Sequence, residues 1–156
     1  VGQFYSNSKE LLEKIDAVRK NKKVVFTNGC FDLLHVGHVK YLKEAKSKGD
    51  FLVVGINADA SVKRLKGPTR PIQNENDRSE ILAALEAVDA TIIFTEDTPE
   101  NLIKMVHPDV LVKGGDWKIN QIVGGQFVHG YGGQVLSLMF VDGKSTTSIV
   151  SKIEKS

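Results

Sequence analysis

The chain has 156 residues, and what it lacks excludes more than its average composition suggests. Cysteine occurs once, at Cys30, so no intrachain disulfide and no cysteine-built zinc site can form. No apolar run approaches the ~18 residues of a membrane span, and the first residues carry no signal-peptide core, so a cytoplasmic protein with no membrane partner is expected. The formal charge is only +2 and the basic residues are scattered without interleaved aromatics, which argues against a nucleic-acid partner. No G-x-G-x-x-G run occurs, which disfavours a dinucleotide oxidoreductase. Gly143-Lys-Ser-Thr mimics the tail of a P-loop, but Leu138 stands where that motif needs its first glycine.

What is present is ordinary globular material, 41% apolar and 26% charged, which excludes a largely disordered chain. One domain over residues 1–156 is expected, large enough to bury roughly 70% of its unfolded surface. Leu11, Leu12, Ile15 and Val18 recur at helical spacing after the candidate caps Ser6, Asn7 and Ser8, so residues 1–22 read as an N-terminal helical segment before a core at 23–156. Apolar strand candidates follow at Lys23–Thr27, Phe51–Asn57, Thr91–Phe94, Asp109–Lys113 and Gln134–Leu138. Helix candidates lie at Val36–Lys48, Ala58–Leu65, Glu75–Val88, Pro99–Val106, Gly125–Gly130 and about Ser145–Ile153. Strands separated by helix-sized connections predict an α/β, Rossmann-like, doubly wound sheet of five parallel strands. Lys66–Asn74, rich in Gly and Pro, reads as a mobile flap.

The most informative segment is Asn28-Gly-Cys-Phe-Asp-Leu-Leu-His-Val-Gly-His38, which follows an apolar strand and opens a helix. It sets backbone N–H groups and two imidazoles at the carboxyl end of a strand, where open α/β sheets bind phosphorylated ligands. Gly29 permits unusual backbone geometry, and N–H groups around Cys30, Phe31 and Asp32 could line a phosphate. His35 and His38 share a helical face, with Gly37 between them allowing close approach of a ligand. They could also be half of a metal site or plain helix-start residues, and Asp32 a simple cap; the residues alone leave this open.

The run Phe26–His38 resembles the HxGH signature of the nucleotidyltransferase (cytidylyltransferase-like) superfamily. Lys63–Lys66 with Arg70-Pro-Ile, Arg78 with Leu85–Asp89, Val112-Lys-Gly-Gly-Asp-Trp117, and Asp142-Gly-Lys-Ser-Thr-Thr-Ser-Ile149 resemble its other segments, in order and spacing. The wording is most similar to the heptose 1-phosphate adenylyltransferase domain, often fused behind a sugar kinase in lipopolysaccharide-precursor enzymes. No kinase domain is present in this sequence, so a stand-alone version is expected.

The resemblance implies transfer of a nucleoside monophosphate, foremost AMP from ATP, to D-glycero-D-manno-heptose 1-phosphate with loss of pyrophosphate. A glycerol 3-phosphate or ethanolamine-phosphate cytidylyltransferase is the alternative, and a non-catalytic nucleotide-binding domain a remote one. By the same resemblance His35, His38 and Lys66 are catalytic. Asn28, Gly29, Cys30, Phe31, Asp32, Gly37, Arg78, Lys113, Gly114, Asp116, Asp142, Gly143, Ser145, Thr146 and Thr147 are expected around the nucleotide. Lys63, Arg70 and Trp117 are lesser candidates for the acceptor. Mg²⁺ is expected with the triphosphate, held mainly by phosphates and water with Asp32 nearby. A homodimer through the N-terminal helix is also within what the resemblance allows.

Overall fold

The computed structural model describes residues 2–139 and 146–155. Its centre is one parallel sheet built from β1 (Gln3–Tyr5), β2 (Val24–Gly29), β3 (Phe51–Asn57), β4 (Ala90–Phe94), β5 (Val110–Gly114) and β6 (Gln134–Leu138). The strand order is β1-β4-β3-β2-β5-β6. All five pairings are parallel, with Val24 to Gly29 of β2 opposite Phe51 to Ile56 of β3. The doubly wound Rossmann-like arrangement is therefore as expected. The count of five strands is corrected to six.

The added strand is β1, which precedes the N-terminal helix and pairs Gln3 with Ala90 and Tyr5 with Ile92. Three residues carry no detectable alternation, so nothing local announces it. It is held from outside, by Gly2 N–H on the Ala83 carbonyl and Gln3 N–H on that of Asp89.

Helices cover both faces of the sheet. α1 (Ser8–Val18) is capped by Asn7, whose side chain accepts the Glu10 N–H at 3.0 Å. Its Leu11 and Ile15 are buried with Val24, Phe26, Leu102, Ile103 and Leu111 on one face. On the other, Tyr41, Leu42 and Ala45 of α2 (Val36–Ser47) pack with Val25, Leu52, Val54 and Val112. Adjacent residues Val24 and Val25 thus enter different cores, as the two-residue period of a strand requires. All seven residues of β3 are buried, which explains why it reads as a continuous apolar run.

α3 (Asp59–Lys66) and α4 (Glu75–Ala83) follow, then α5 (Glu100–Val106), α6 (Gly125–Gly130) and α7 (Thr146–Lys155). α4 stops at Ala83 rather than Val88, because the chain turns there to deliver Asp89 to the sheet. The Asp89 carboxylate accepts the Leu52 N–H at 2.8 Å and pairs with Lys46, a structural role. Among the described residues no helix is long and apolar enough to cross a membrane.

Strand order reverses at β2, whose neighbours are β3 and β5. The chain leaves β2 towards one side and returns through β5 on the other, so a crevice opens beyond the carboxyl ends of these two strands. That crevice is where the candidate site lies.

Candidate active site

A cleft of about 260 Å³ opens there, lined by residues 28–32 beyond β2, by His38 and Tyr41 of α2, by Lys66 and Arg70, and by Lys113, Gly114 and Trp117 beyond β5. Residues from four separate stretches of sequence therefore converge, and the lining brings together Asn28, Gly29, Cys30, Phe31, Asp32, His38, Lys66, Arg70, Lys113, Gly114 and Trp117 from among the candidates.

The first wall is shaped by an exchange between Gly29 and Phe31. Phe31 adopts a left-handed backbone, φ 48°, and turns its ring back over Gly29. A Cβ on Gly29 would lie 2.8 Å from that ring, so glycine is needed for the close approach. The ring edge then meets His38 at 5.3 Å between centroids.

His35 caps α2. Its Nδ1 accepts the Gly37 N–H at 3.0 Å, and the His38 Nδ1 accepts the His35 N–H at 3.3 Å. A ring nitrogen that accepts has no proton, so each neutral imidazole carries its N–H on Nε2. The two rings stack with centroids 3.9 Å apart. Burial, then the neighbouring His35 and Lys66, push the His38 pKa down to about 4. His38 is therefore a neutral donor at physiological pH. Gly37, buried in the first turn, supplies backbone to this cap rather than to the cleft lining.

Tyr41 also lines the cleft, though no motif marks it. It stands three residues after His38 on the same helical face, and that spacing was the available signal. Its phenol and the Thr27 hydroxyl are hydrogen-bonded at 2.6 Å within the core, and burial raises its pKa to about 12.

The Arg70–Gln73 stretch is fastened to the first loop through Asp32. The buried Asp32 carboxylate accepts N–H groups of Ile72 (2.8 Å) and Gln73 (2.9 Å) and the Arg70 Nε at 2.9 Å. Burial alone would raise its pKa, but the Gln73 and Ile72 N–H groups and the Arg70 guanidinium together hold it below the usual carboxylate range. Asp32 is thus engaged by the loop, and its donor set does not fit the expected place beside a metal ion. The segment read as a mobile flap is tied to Asp32 at three residues, Arg70, Ile72 and Gln73.

Arg78 also departs from expectation. It is 1% exposed and donates to the carbonyls of Cys30, Asn57 and Gln73 and to the Asp59 carboxylate, at 2.8 to 3.0 Å. With Nε and both terminal nitrogens so engaged, it joins the ends of β2 and β3 to the flap and makes no part of the cleft lining. The expected triphosphate contact is replaced by a scaffold role.

On the opposite wall Gly115, at φ 105°, turns the chain so that the Trp117 Nε1 donates to the Gly114 carbonyl at 2.9 Å. The Lys113 ammonium sits 5.6 Å from the centre of the indole ring. Trp117 is a half-exposed edge of the cleft. Asp116 is exposed and Lys63 lies on α3, both outside the lining. Thr147 is exposed at the start of α7; Asp142, Gly143 and Ser145, with the side chain of Thr146, lie outside the described residues.

A sequence model described as cytidylyltransferase-like matches residues 26–135 of the chain, which contain every residue of this cleft. The chain is 52% identical to the bifunctional protein HldE of Geotalea uraniireducens (strain Rf4), over 98% of its own length and 33% of that protein. It is 58% identical to HldE of Pseudomonas fluorescens (strain Pf0-1), over 94% of its length and 31% of the relative. It therefore spans about a third of the length of the curated relatives it matches. Among solved structures, a lipopolysaccharide core biosynthesis protein from Thermoplasma volcanium GSS1 is similar, with TM-score 0.64, 29% identity, and coverage of 80% of this chain and 100% of that one. A pantoate-beta-alanine ligase from Francisella tularensis shares the fold alone, at TM-score 0.64 and 18% identity, covering 100% of this chain and 79% of that one. Cleft, fold and sequence agree that the chain belongs to the cytidylyltransferase-like family.

Proposed function

We propose that the chain transfers AMP from ATP to D-glycero-D-manno-heptose 1-phosphate, giving the nucleotide-activated heptose and pyrophosphate for a surface-polysaccharide precursor. The observation that carries the reading is one cleft at the strand-order reversal whose lining His38 shares with Lys66, Arg70 and Lys113. Three cations and a neutral imidazole suit a polyanion, and the lining's one carboxylate, Asp32, is already bonded to the loop. The relatives' identity of 52% and 58% supports the heptose acceptor over glycerol phosphate, through the family branch to which this wording is most similar.

Chemically, an oxygen of the sugar phosphate attacks the α-phosphorus of ATP. A P–O bond forms there, and the bond to the β-phosphate oxygen breaks to release pyrophosphate. The attacking oxygen needs no general base, because the second pKa of a phosphate monoester is about 6. What the protein supplies is alignment and charge stabilisation. His35 and His38 donate from Nε2 to the oxygens on which charge accumulates, while Lys66 and Lys113 neutralise phosphate oxygens. Mg²⁺ enters as part of the triphosphate substrate, held by phosphates and water. The reaction belongs to the cytoplasm, where ATP is supplied.

The test is to incubate the protein with ATP, CTP or GTP and with heptose 1-phosphate or glycerol 3-phosphate, and to follow pyrophosphate. Release with ATP and heptose 1-phosphate is expected. Release only with CTP and glycerol 3-phosphate overturns the proposal.

A further inference from the structure

The geometry points to Asp32 as a positioning residue that sets the Arg70 guanidinium as a fixed donor to a phosphate oxygen of one substrate. The inference rests on the nucleotidyltransferase reading above and concerns how that site holds its anions.

Three observations converge. First, Arg70 is gripped on one side only. Its Nε donates to Asp32 at 2.9 Å, while its terminal NH2 nitrogen is buried and has no hydrogen-bond partner among the described residues. A buried donor without an acceptor is costly, and natively such groups have a partner or a use. Second, Arg70 lacks the freedom to seek an acceptor elsewhere. Asp32 holds it at Nε and also holds the following backbone through the Ile72 and Gln73 N–H groups, and Gln73 Nε2 returns a bond to the Asp32 carbonyl. Third, Arg70 lines the cleft with Lys66 and Lys113, and its side chain is 12% exposed. The lining's one carboxylate is Asp32 itself, so among the described residues the cleft offers no second protein anion.

A planar guanidinium fixed at Nε and lacking an acceptor at its far end matches a tetrahedral oxyanion, which presents oxygens to a fork. The shared chemistry is a phosphate oxygen, and two phosphates reach this cleft, the triphosphate and the phosphate of the sugar. Asp32 touches neither. It acts through Arg70, at a place where a metal-associated carboxylate was expected.

The experiment measures kcat and KM separately for ATP and for heptose 1-phosphate in wild type, D32N, R70Q and the double variant, with melting temperatures alongside. R70Q is expected to raise KM for one substrate about ten- to a hundredfold, the worth of one charge-assisted hydrogen bond. D32N is expected to raise KM for that same substrate, and the double variant to be no worse than R70Q. A rise in the KM of ATP assigns the contact to the triphosphate; a rise in that of heptose 1-phosphate assigns it to the acceptor. Should D32N not fold, R70K still decides, since it keeps the charge, loses the fork, and must raise the same KM. An active wild type beside an R70Q with both KM values unchanged overturns the inference alone. Multiplying effects in the double variant overturn the positioning role. A wild type that releases no pyrophosphate with any pair overturns the proposed function and this inference with it.

Discussion

The imidazoles of His35 and His38 lie face to face at 3.9 Å, and each uses Nδ1 to accept a backbone N–H of the same helical turn. One arrangement therefore caps α2 and orients two Nε2–H donors. The cap uses Nδ1 and leaves Nε2–H of each ring outside it, and the consequences of the proposed role of His38 can be measured.

Replacing His38 by Ala removes one of the two donors. The barrier is expected to rise by roughly 3–4 kcal/mol, which is a loss of two to three orders of magnitude in kcat. Pyrophosphate release on a variant with unchanged circular dichroism reads this. Full turnover in H38A would remove His38 from the chemistry.

The same histidine makes stability depend on pH. Its folded pKa is about 4 against an ordinary 6.5, so between these values the unfolded chain binds the extra proton. Stability contributed by keeping His38 neutral is complete above pH 6.5 and is lost as pH falls towards 4. Asp32 acts in a lower window, because its depressed pKa preserves its contribution until more acidic conditions. Urea unfolding at pH 7 and pH 5 should show a smaller loss in H38Q than in wild type; equal losses would contradict the assignment.

Arg78 is expected to matter for folding before catalysis. R78A leaves the carbonyls of Cys30, Asn57 and Gln73 without their donor and Asp59 without its cation. A loss of about 3–5 kcal/mol is expected, as for breaking a buried ion pair. R78K should recover only part of it, since one ammonium cannot match a fork with four acceptors. Chemical denaturation checks both; an R78A of wild-type stability would refute the scaffold role.

Trp117 is the single tryptophan and forms an edge of the cleft beside Lys113. Nucleotide binding should therefore change intrinsic fluorescence, and the change should vanish in W117F while calorimetric binding persists. Calorimetric binding to wild type with a silent indole would mean the nucleotide sits elsewhere.

Much of the fold was legible because its signals are local. The runs that became β2 and β3 are buried on both faces, so their hydrophobicity is continuous, and α1 and α2 show their buried stripes. β1 was not legible, because three residues at a sheet edge have no pattern of their own and owe their strand to β4. Within the site, the loop after β2 and the two histidines could be read from spacing, whereas Lys66, Arg70 and Lys113 were marked only by the family resemblance. The partners of Asp32 and Arg78 could not be read, since they lie 38 to 41 and 5 to 48 residues away in the chain.

Residue order alone determined the strand–loop–helix start that carries His35 and His38, because strand burial, glycine freedom and helix capping act within a few residues. Only the tertiary structure decided which charged groups line the cleft and which meet each other. Arg70 and Arg78 are both basic residues near one loop, yet one lines the cleft and the other is enclosed by carbonyls. Burial and the position of distant acceptors, not residue type, separated their roles.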